Sequence, residues 1–433
     1  MSRSVLQSGS TLTAPSTGAI TDAQLPVTAQ AATLSTTYAP VTGSANYTAR
    51  TQLGQQDNAT FQDSKLLRIK ASLATAAAGA AKTNIFIFGH SMNSGYQVTS
   101  YKDMLHNTLG VALRRKLALG SDGGAFFSIP KDWVNPSVTD WPITINTPVL
   151  TATGHGIPAG SKGQWLNPTL GSIVVAVPAG ITALGVWTGS DGNQPGGSYT
   201  WQIDAGTATT VDTSTDAQAN YGFRRLTTIT LDGLAHNVTL IGTVGYTAVD
   251  AVEFFKSDSV NGIHVFADGN PGLTTTQLVG APTNNYKVGS GTTASLMQSL
   301  NHLNPAAIVF TGIVNDYSAG TAGANPVPSV TTATNLVSIL EALAGACATR
   351  PSIIINIEHQ RQNLAMTEPW QNYVNVAYSV AAANGYAVFD GGKRFGTLPS
   401  PALTAGLLNA DLIHPSPSGF WDWGYGLASF MGR

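Results

Sequence analysis

In "NIFIFGHSMNSGY" four consecutive apolar residues, Ile85 to Phe88, run straight into Gly89, a polar pair and a further glycine, Gly95. A short unbroken apolar run bounded by turn residues predicts a strand buried on both faces. The pattern recurs as "GIHVFA" (262–267), "AIVFTG" (307–312), "SIIINI" (352–357) and "YAVFD" (386–390). Helical periodicity fills the gaps. Leu66, Leu67, Ile69 and Leu73 share one face of a helix starting near Phe61, and Met104, Leu105, Leu109, Ala112 and Leu113 share a face over 100–119, with Gly120 as its stop. Further helices are predicted over "TTTQLV", "TNLVSILEALAG" and "QNYVNVAYSVAAANG". Five apolar strands separated by helices predict an α/β fold: a doubly wound, flavodoxin-like parallel five-stranded sheet.

Residues 129–260 follow another pattern. Short alternating or β-branched runs such as "SIVVAVPAG", "ALGVWTG", "SYTWQID", "TTITLDG" and "NVTLIG" are punctuated by Gly, Pro, Asn and Asp. Many short strands at close spacing predict an all-β sandwich inserted between the first helix and the second strand of the parallel sheet. Residues 1–60 carry only four charges (Arg3, Asp22, Arg50 and Asp57) and no sustained period, so they are expected to form an extended arm. The expected organisation is an arm over 1–60, a first part of the α/β domain over 61–128, the inserted sandwich over 129–260, and the second part over 261–433.

Composition narrows the function classes. Charged residues make up 10% of the chain and the net charge is −2, so no electrostatic footprint for nucleic acid or an anionic membrane is present. Cys347 is the single cysteine, which excludes an intrachain disulfide and a cysteine-based zinc site. No segment has the apolar length to span a bilayer, and no secretory signal is visible at the start. No cofactor is expected.

In a parallel sheet, residues just beyond successive strands converge on one edge. Ser91 follows the first strand, where the next helix is expected to begin. "DGNPGLTT" with Gly272 follows the second, and "TGIVND" with Asn315 the third. Near the end of the chain "DLIHPS" sets Asp411 three residues before His414. A hydroxyl nucleophile needs a base and the base an orienting carboxylate, while the developing oxyanion needs fixed donors. On spacing alone, Ser91 could equally be a turn serine; Asp411 with His414 could be half of a metal site, but no third and fourth ligand stand at ligand spacing and no H-E-x-x-H is present. "EHQRQ" (358–362) lies beyond the fourth strand, either lining a substrate pocket or forming a solvated loop; His106, His155, His236 and His264 are expected to be structural or exposed.

The four blocks "FGHSMNSG", "NPGLTTTQL", "GIVND" and "DLIHP" resemble, in order, those of the SGNH or GDSL hydrolase family, over 61–128 and 261–433. The resemblance implies Ser91 as nucleophile, Gly272 and Asn315 as oxyanion donors beside the Ser91 N–H, and His414 as base oriented by Asp411. His90 stands where the family usually has Asp, and Pro271 where Ser is frequent, with Gly269 as the alternative donor. "GHSM" also resembles the elbow of α/β-hydrolases, but Asn93 occupies its second glycine position.

The sandwich segment "GGSYTWQIDAG" resembles jelly-roll inserts of carbohydrate-active esterases, which makes Trp165, Trp187, Tyr199 and Trp201 candidates for stacking on sugars or for core packing. In the arm, "ATLSTTYAPVTG" with Leu34, Tyr38 and Val41 resembles segments of bacteriophage tail-fibre proteins. Together these imply a virion tail component that de-esterifies acylated polysaccharide of the host surface. Its expected partners are neighbouring tail proteins and two further copies in a homotrimer. A catalytically inactive receptor-binding tail protein, and a bacterial esterase acting on small esters, are the alternatives.

Overall fold

The computed structural model describes residues 63–79, 81–93, 97–118, 125–128, 138–146, 151–153, 162–169, 171–189, 197–214, 223–256, 262–270, 272–280, 295–318, 326–361, 368–395 and 406–432. The 1–60 arm, Gly120, His155 and Pro271 lie outside the described residues. In chain order the elements begin with α1 (Leu67–Ala77), β1 (Thr83–His90), α2 (Leu105–Lys116), β2 (Ala125–Ser128), β3 (Ile143–Asn146), β4 (Thr151–Thr153), β5 (Lys162–Leu166), β6 (Ser172–Val177) and β7 (Ala183–Gly189). They continue with β8 (Ser198–Ile203), β9 (Thr209–Asp212), β10 (Phe223–Thr230), β11 (His236–Val244), β12 (Thr247–Phe255), β13 (Ile263–Asn270), α3 (Thr275–Gly280) and α4 (Ser295–Leu303). Last come β14 (Ala307–Thr311), α5 (Val314–Ser318), α6 (Ser329–Ala346), β15 (Ser352–Ile357), α7 (Trp370–Asn384), β16 (Ala387–Asp390), α8 (Gly391–Phe395) and α9 (Pro417–Met431).

The five apolar runs pair as one parallel sheet in the order β13-β1-β14-β15-β16, as their pattern predicts. Alternation along β1 shows why the run is continuously apolar. Ile85 and Ile87 pack with Leu105, Leu109 and Leu113 of α2 and Phe420, Trp423 and Leu427 of α9. Phe86 and Phe88 pack on the opposite face with Leu336, Ile339 and Leu340 of α6 and Tyr373 and Ala377 of α7. Each such fully buried side chain contributes about 1.5–3 kcal/mol. β1 is first in sequence but second in the sheet, so the chain switches direction across it. Doubly wound sheets open their binding crevice at such a point, beyond the carboxyl ends of the strands.

Two antiparallel sheets are built from strands that all fall between β1 and β13. One has the order β10-β7-β12-β5-β4, with β2 also paired to β12; the other has β3-β6-β11-β8-β9. β12 is buried at all nine positions, because one face meets the second antiparallel sheet and the other meets the α/β domain.

Several expectations need correction. β2 pairs with β12, so the antiparallel sheet takes a strand from before residue 129; Phe127 packs on Phe254 of that sheet while Phe126 meets Phe266 of β13. α2 is shorter than 100–119, because Met104 is extended and separates it from a single 3-10 turn at Tyr101–Asp103. Ser91 therefore does not lead directly into a helix. Leu67 is 72% exposed, one step off the α1 face formed by Leu66, Ile69 and Leu73. The core-packing alternative holds for the aromatic residues: Tyr199 is buried and Trp201 half-buried in the sandwich core, and Trp187 is buried against Phe266 of the α/β domain, while the side chain of Trp165 lies outside the described residues.

Candidate active site

Local backbone chemistry sets Ser91 at the crevice. Gly89, the last residue but one of β1, lies opposite Thr311 of β14 with φ +155°, and a Cβ there would stand 1.6 Å from the Thr311 carbonyl oxygen. Only glycine allows this approach. A turn follows at once, closed by Asn93 N–H donating to the His90 carbonyl (2.9 Å), and Ser91 emerges 6% exposed. Its Oγ lies 2.9 Å from Nε2 of His414, which is 7% exposed.

The "DLIH" turn arrives from across the fold. Asp411 Oδ1 accepts the backbone N–H groups of Ile413 (2.9 Å) and His414 (3.0 Å), and Oδ2 lies 2.6 Å from His414 Nδ1. Leu412 adopts φ +59°, a costly region for a branched residue, held because the carboxylate caps both following amides. Burial alone would push the Asp411 carboxyl up, but the hydrogen bonds from the His414 ring and these two amides outweigh it and hold it below the ordinary carboxylate range. Asp411 is spent on His414 and the turn, which disfavours the metal-site alternative. α9 anchors the turn: Ser416 caps its N-terminus by accepting from Gly419 N–H (3.2 Å), and Pro417 fills its first turn.

Gly272 lies in the turn beyond β13 with φ +82°. Gly269 lies within β13, paired with Gly89, so its backbone belongs to the ladder. Asn315, 6% exposed, donates one amide hydrogen from Nδ2 to the Leu273 carbonyl (2.9 Å), which ties it to the Gly272 turn. Asp316 strengthens that tie. It accepts from Thr275 N–H (2.7 Å), Thr275 Oγ1 (2.5 Å) and Thr332 Oγ1 (2.6 Å), joining the glycine block, the Asn block and α6. Burial pushes its carboxyl up to about 6, against the pull of these donors.

His90 acquires a partner that sequence reasoning missed. It is fully buried, with Nε2 2.7 Å from Oε1 of Glu358, while Nδ1 lies 3.4 Å from both Ser91 Oγ and Met92 N. Glu358 also accepts the Ile313 N–H (3.1 Å), linking the ends of β1, β14 and β15. "EHQRQ" is thus no solvated loop at its start: Glu358 and His359 are buried, and Gln360 bonds Tyr317 Oη (3.1 Å). The signal available was position alone, a carboxylate directly beyond a predicted strand. Of the other histidines, His106 and His264 are buried, while His236 is half-buried and held between Asp204 and Asp232.

The structure thus brings Ser91, His414 and Asp411 into one hydrogen-bonded series and Gly272 and Asn315 into a second cluster beyond the neighbouring strands. A hydroxyl bonded to an imidazole whose far nitrogen faces a carboxylate can be deprotonated as it attacks a carbonyl carbon.

No family model matches the chain, and no curated protein matches it. Among solved structures, "Peptidoglycan O-acetylesterase in action" overlays with a TM-score of 0.55 at 14% identity, covering 84% of this chain and 94% of that one. A family two carbohydrate esterase from Cellvibrio japonicus matches at 13% identity over 71% of this chain and 98% of the other, but with a TM-score of 0.28, which carries no argument about fold. The likeness that holds is one of architecture: this chain shares its α/β fold, built on a five-stranded doubly wound parallel sheet, with a peptidoglycan O-acetylesterase.

Proposed function

We propose that the protein is a serine esterase of SGNH type that removes short acyl groups, acetyl above all, from host cell-surface or cell-wall polysaccharide. The observation that carries this reading is the 2.9 Å contact between Ser91 Oγ and His414 Nε2, with Asp411 2.6 Å behind the ring. Ser91 Oγ attacks the acyl carbonyl while His414 Nε2 takes its proton, and the oxyanion is met by the N–H groups of Ser91 and Gly272 and the Asn315 amide. As the ester bond to the sugar breaks, His414 gives the proton to the departing sugar oxygen, which leaves as a hydroxyl, and an acyl-serine remains. Water, deprotonated by the same nitrogen, then releases the acid. The shared fold with a peptidoglycan O-acetylesterase supports a short acyl group on a polysaccharide.

Ser91→Ala and His414→Ala should each reduce hydrolysis of 4-nitrophenyl acetate to one background, with the double variant little worse, since the pair acts as a unit. Asn315→Ala should cost about a hundredfold in kcat. Substantial turnover by Ser91→Ala would end the reading.

In the same proposal the enzyme is a phage tail component acting at the host surface, a homotrimer held through the 1–60 arm and bound to neighbouring tail proteins. The support is sequence: the fibre-like segment with Leu34, Tyr38 and Val41, in an arm too poor in apolar residues to bury a core alone. Light scattering should find a trimer for the full chain and a monomer, still active, for a chain starting at Phe61. Mass spectrometry of purified virions tests the location.

A further inference from the structure

Beyond the carboxyl ends of β15 and β16 the sheet edge opens into a cleft of about 870 Å³, a volume typical of ligand sites. It lies between α7 and the segments that follow β15 and β16, and His359 and Gly392 line its inner wall. His359 is 2% exposed; it follows Glu358, whose carboxylate lies 2.7 Å from His90 next to Ser91, and it is close to the backbone of Leu412 and Ile413. One wall is therefore shared by the cleft and the catalytic turn.

Three features of the lining define what it can hold. Trp370 is half-buried, edge-on to Tyr317 at 5.2 Å between ring centroids and stacked over Tyr373 at 6.1 Å, which fixes a rigid aromatic surface at one end. Gln371, Asn375 and Ser379 are exposed and follow one another at spacings of four along α7, a neutral polar stripe about 12 Å long. At the far end Lys393 Nζ sits 3.2 Å from Asp390 Oδ2 and 3.0 Å from Tyr378 Oη, so the charges in the cleft neutralise each other. Burial holds His359 down to about 4, so it adds no charge at neutral pH.

We infer that this cleft is the glycan-binding subsite of the enzyme, holding several sugar rings of the acylated polysaccharide against α7 while the acyl group reaches Ser91. The inference rests on the esterase reading above and adds the surface that would select a polymer over a small ester. Sugar rings present apolar faces for Trp370 and hydroxyls for amides and serine, and they need no counter-charge. The exposed α7 side suits a chain that runs on beyond the cleft.

Binding is measured in the Ser91→Ala protein, where no hydrolysis can intervene, using immobilised O-acetylated peptidoglycan and O-acetylated xylan as probes. Retention on at least one polymer is expected. Trp370→Ala, and separately Ser379→Trp, should weaken it tenfold or more. Because Ser379 is exposed, the second variant fills the cleft without disturbing the core. Absence of binding to both polymers, or equal binding with and without Ser379→Trp, would overturn the subsite. Cleft-dependent binding by a wild-type protein that cleaves neither polymer nor 4-nitrophenyl acetate would uphold the subsite and sink the esterase reading. Cleavage of the nitrophenyl ester without polymer binding would do the reverse.

Discussion

Asp316 accepts three hydrogen bonds, two of them from Thr275, yet burial still pushes its carboxyl up to about 6. The sign of the linkage follows. A carboxyl whose folded pKa exceeds its unfolded value binds more protons in the folded chain, so stability falls as pH rises from about 4 to about 6. The loss is on the order of 3 kcal/mol. Asp316→Asn keeps the shape, and the two threonine hydroxyls can turn to donate or accept. The variant should lose most of this pH slope, read as urea midpoints between pH 4.5 and pH 7. An unchanged slope would mean that Asp316 titrates as it does in the unfolded chain. The carboxyl is tolerated at neutral pH because it holds Asn315 and the Gly272 turn in place.

Helix α9 anchors the turn that carries Asp411 and His414, and it does so through glycine. It packs on α2 so closely that a Cβ on Gly424 would lie 2.5 Å from Thr108 Oγ1 and 2.9 Å from the Leu109 nitrogen. Thr108 cannot simply swing away, since its single O–H is shared between the Leu105 and Phe420 carbonyls (3.0 Å each). Gly424→Ala should therefore destabilise by about 1–3 kcal/mol, despite the higher helix propensity of alanine. Gly345 in α6 is the contrast, with nothing within 4 Å of a built Cβ. Gly345→Ala should stabilise by up to about 1 kcal/mol. Thermal melts of the two variants should move in opposite directions; a shift of both the same way would refute the packing account.

At the scale of the whole molecule, the sandwich and the α/β domain meet through a buried polar group. Glu253 of β12 lies 3.0 Å from Nδ1 of His264 in β13 and accepts from Trp187 Nε1 (2.7 Å), with Lys82 nearby and its Nζ 5.2 Å from the Trp187 ring centroid. Burial opposes the charge on Glu253, but His264, Lys82 and Trp187 outweigh it and hold the carboxyl below its ordinary value. Glu253→Ala leaves Lys82 and His264 facing a hole and should cost about 3–5 kcal/mol, whereas Glu253→Gln should cost less. Equal urea midpoints for Glu253→Ala and wild type would show that apolar contact alone joins the two parts.

Read as a sequence, the chain determines its parallel sheet, because strands covered on both faces must be apolar throughout, and the five runs match β1, β13, β14, β15 and β16. The turn geometry of "DLIH" is equally local, since a carboxylate three residues before an imidazole can cap the intervening amides. The pairing of Glu358 with His90 was not legible, nor was the bond from Asp316 to Thr275, as each joins residues tens or hundreds of positions apart. The place of β2 was hidden for a similar reason: its two phenylalanines face different domains, so no single period reveals its sheet. Periodicity reports which residues are buried. Only the tertiary structure decides which buried groups meet, because that depends on how strands and helices from distant parts of the chain stack around one edge.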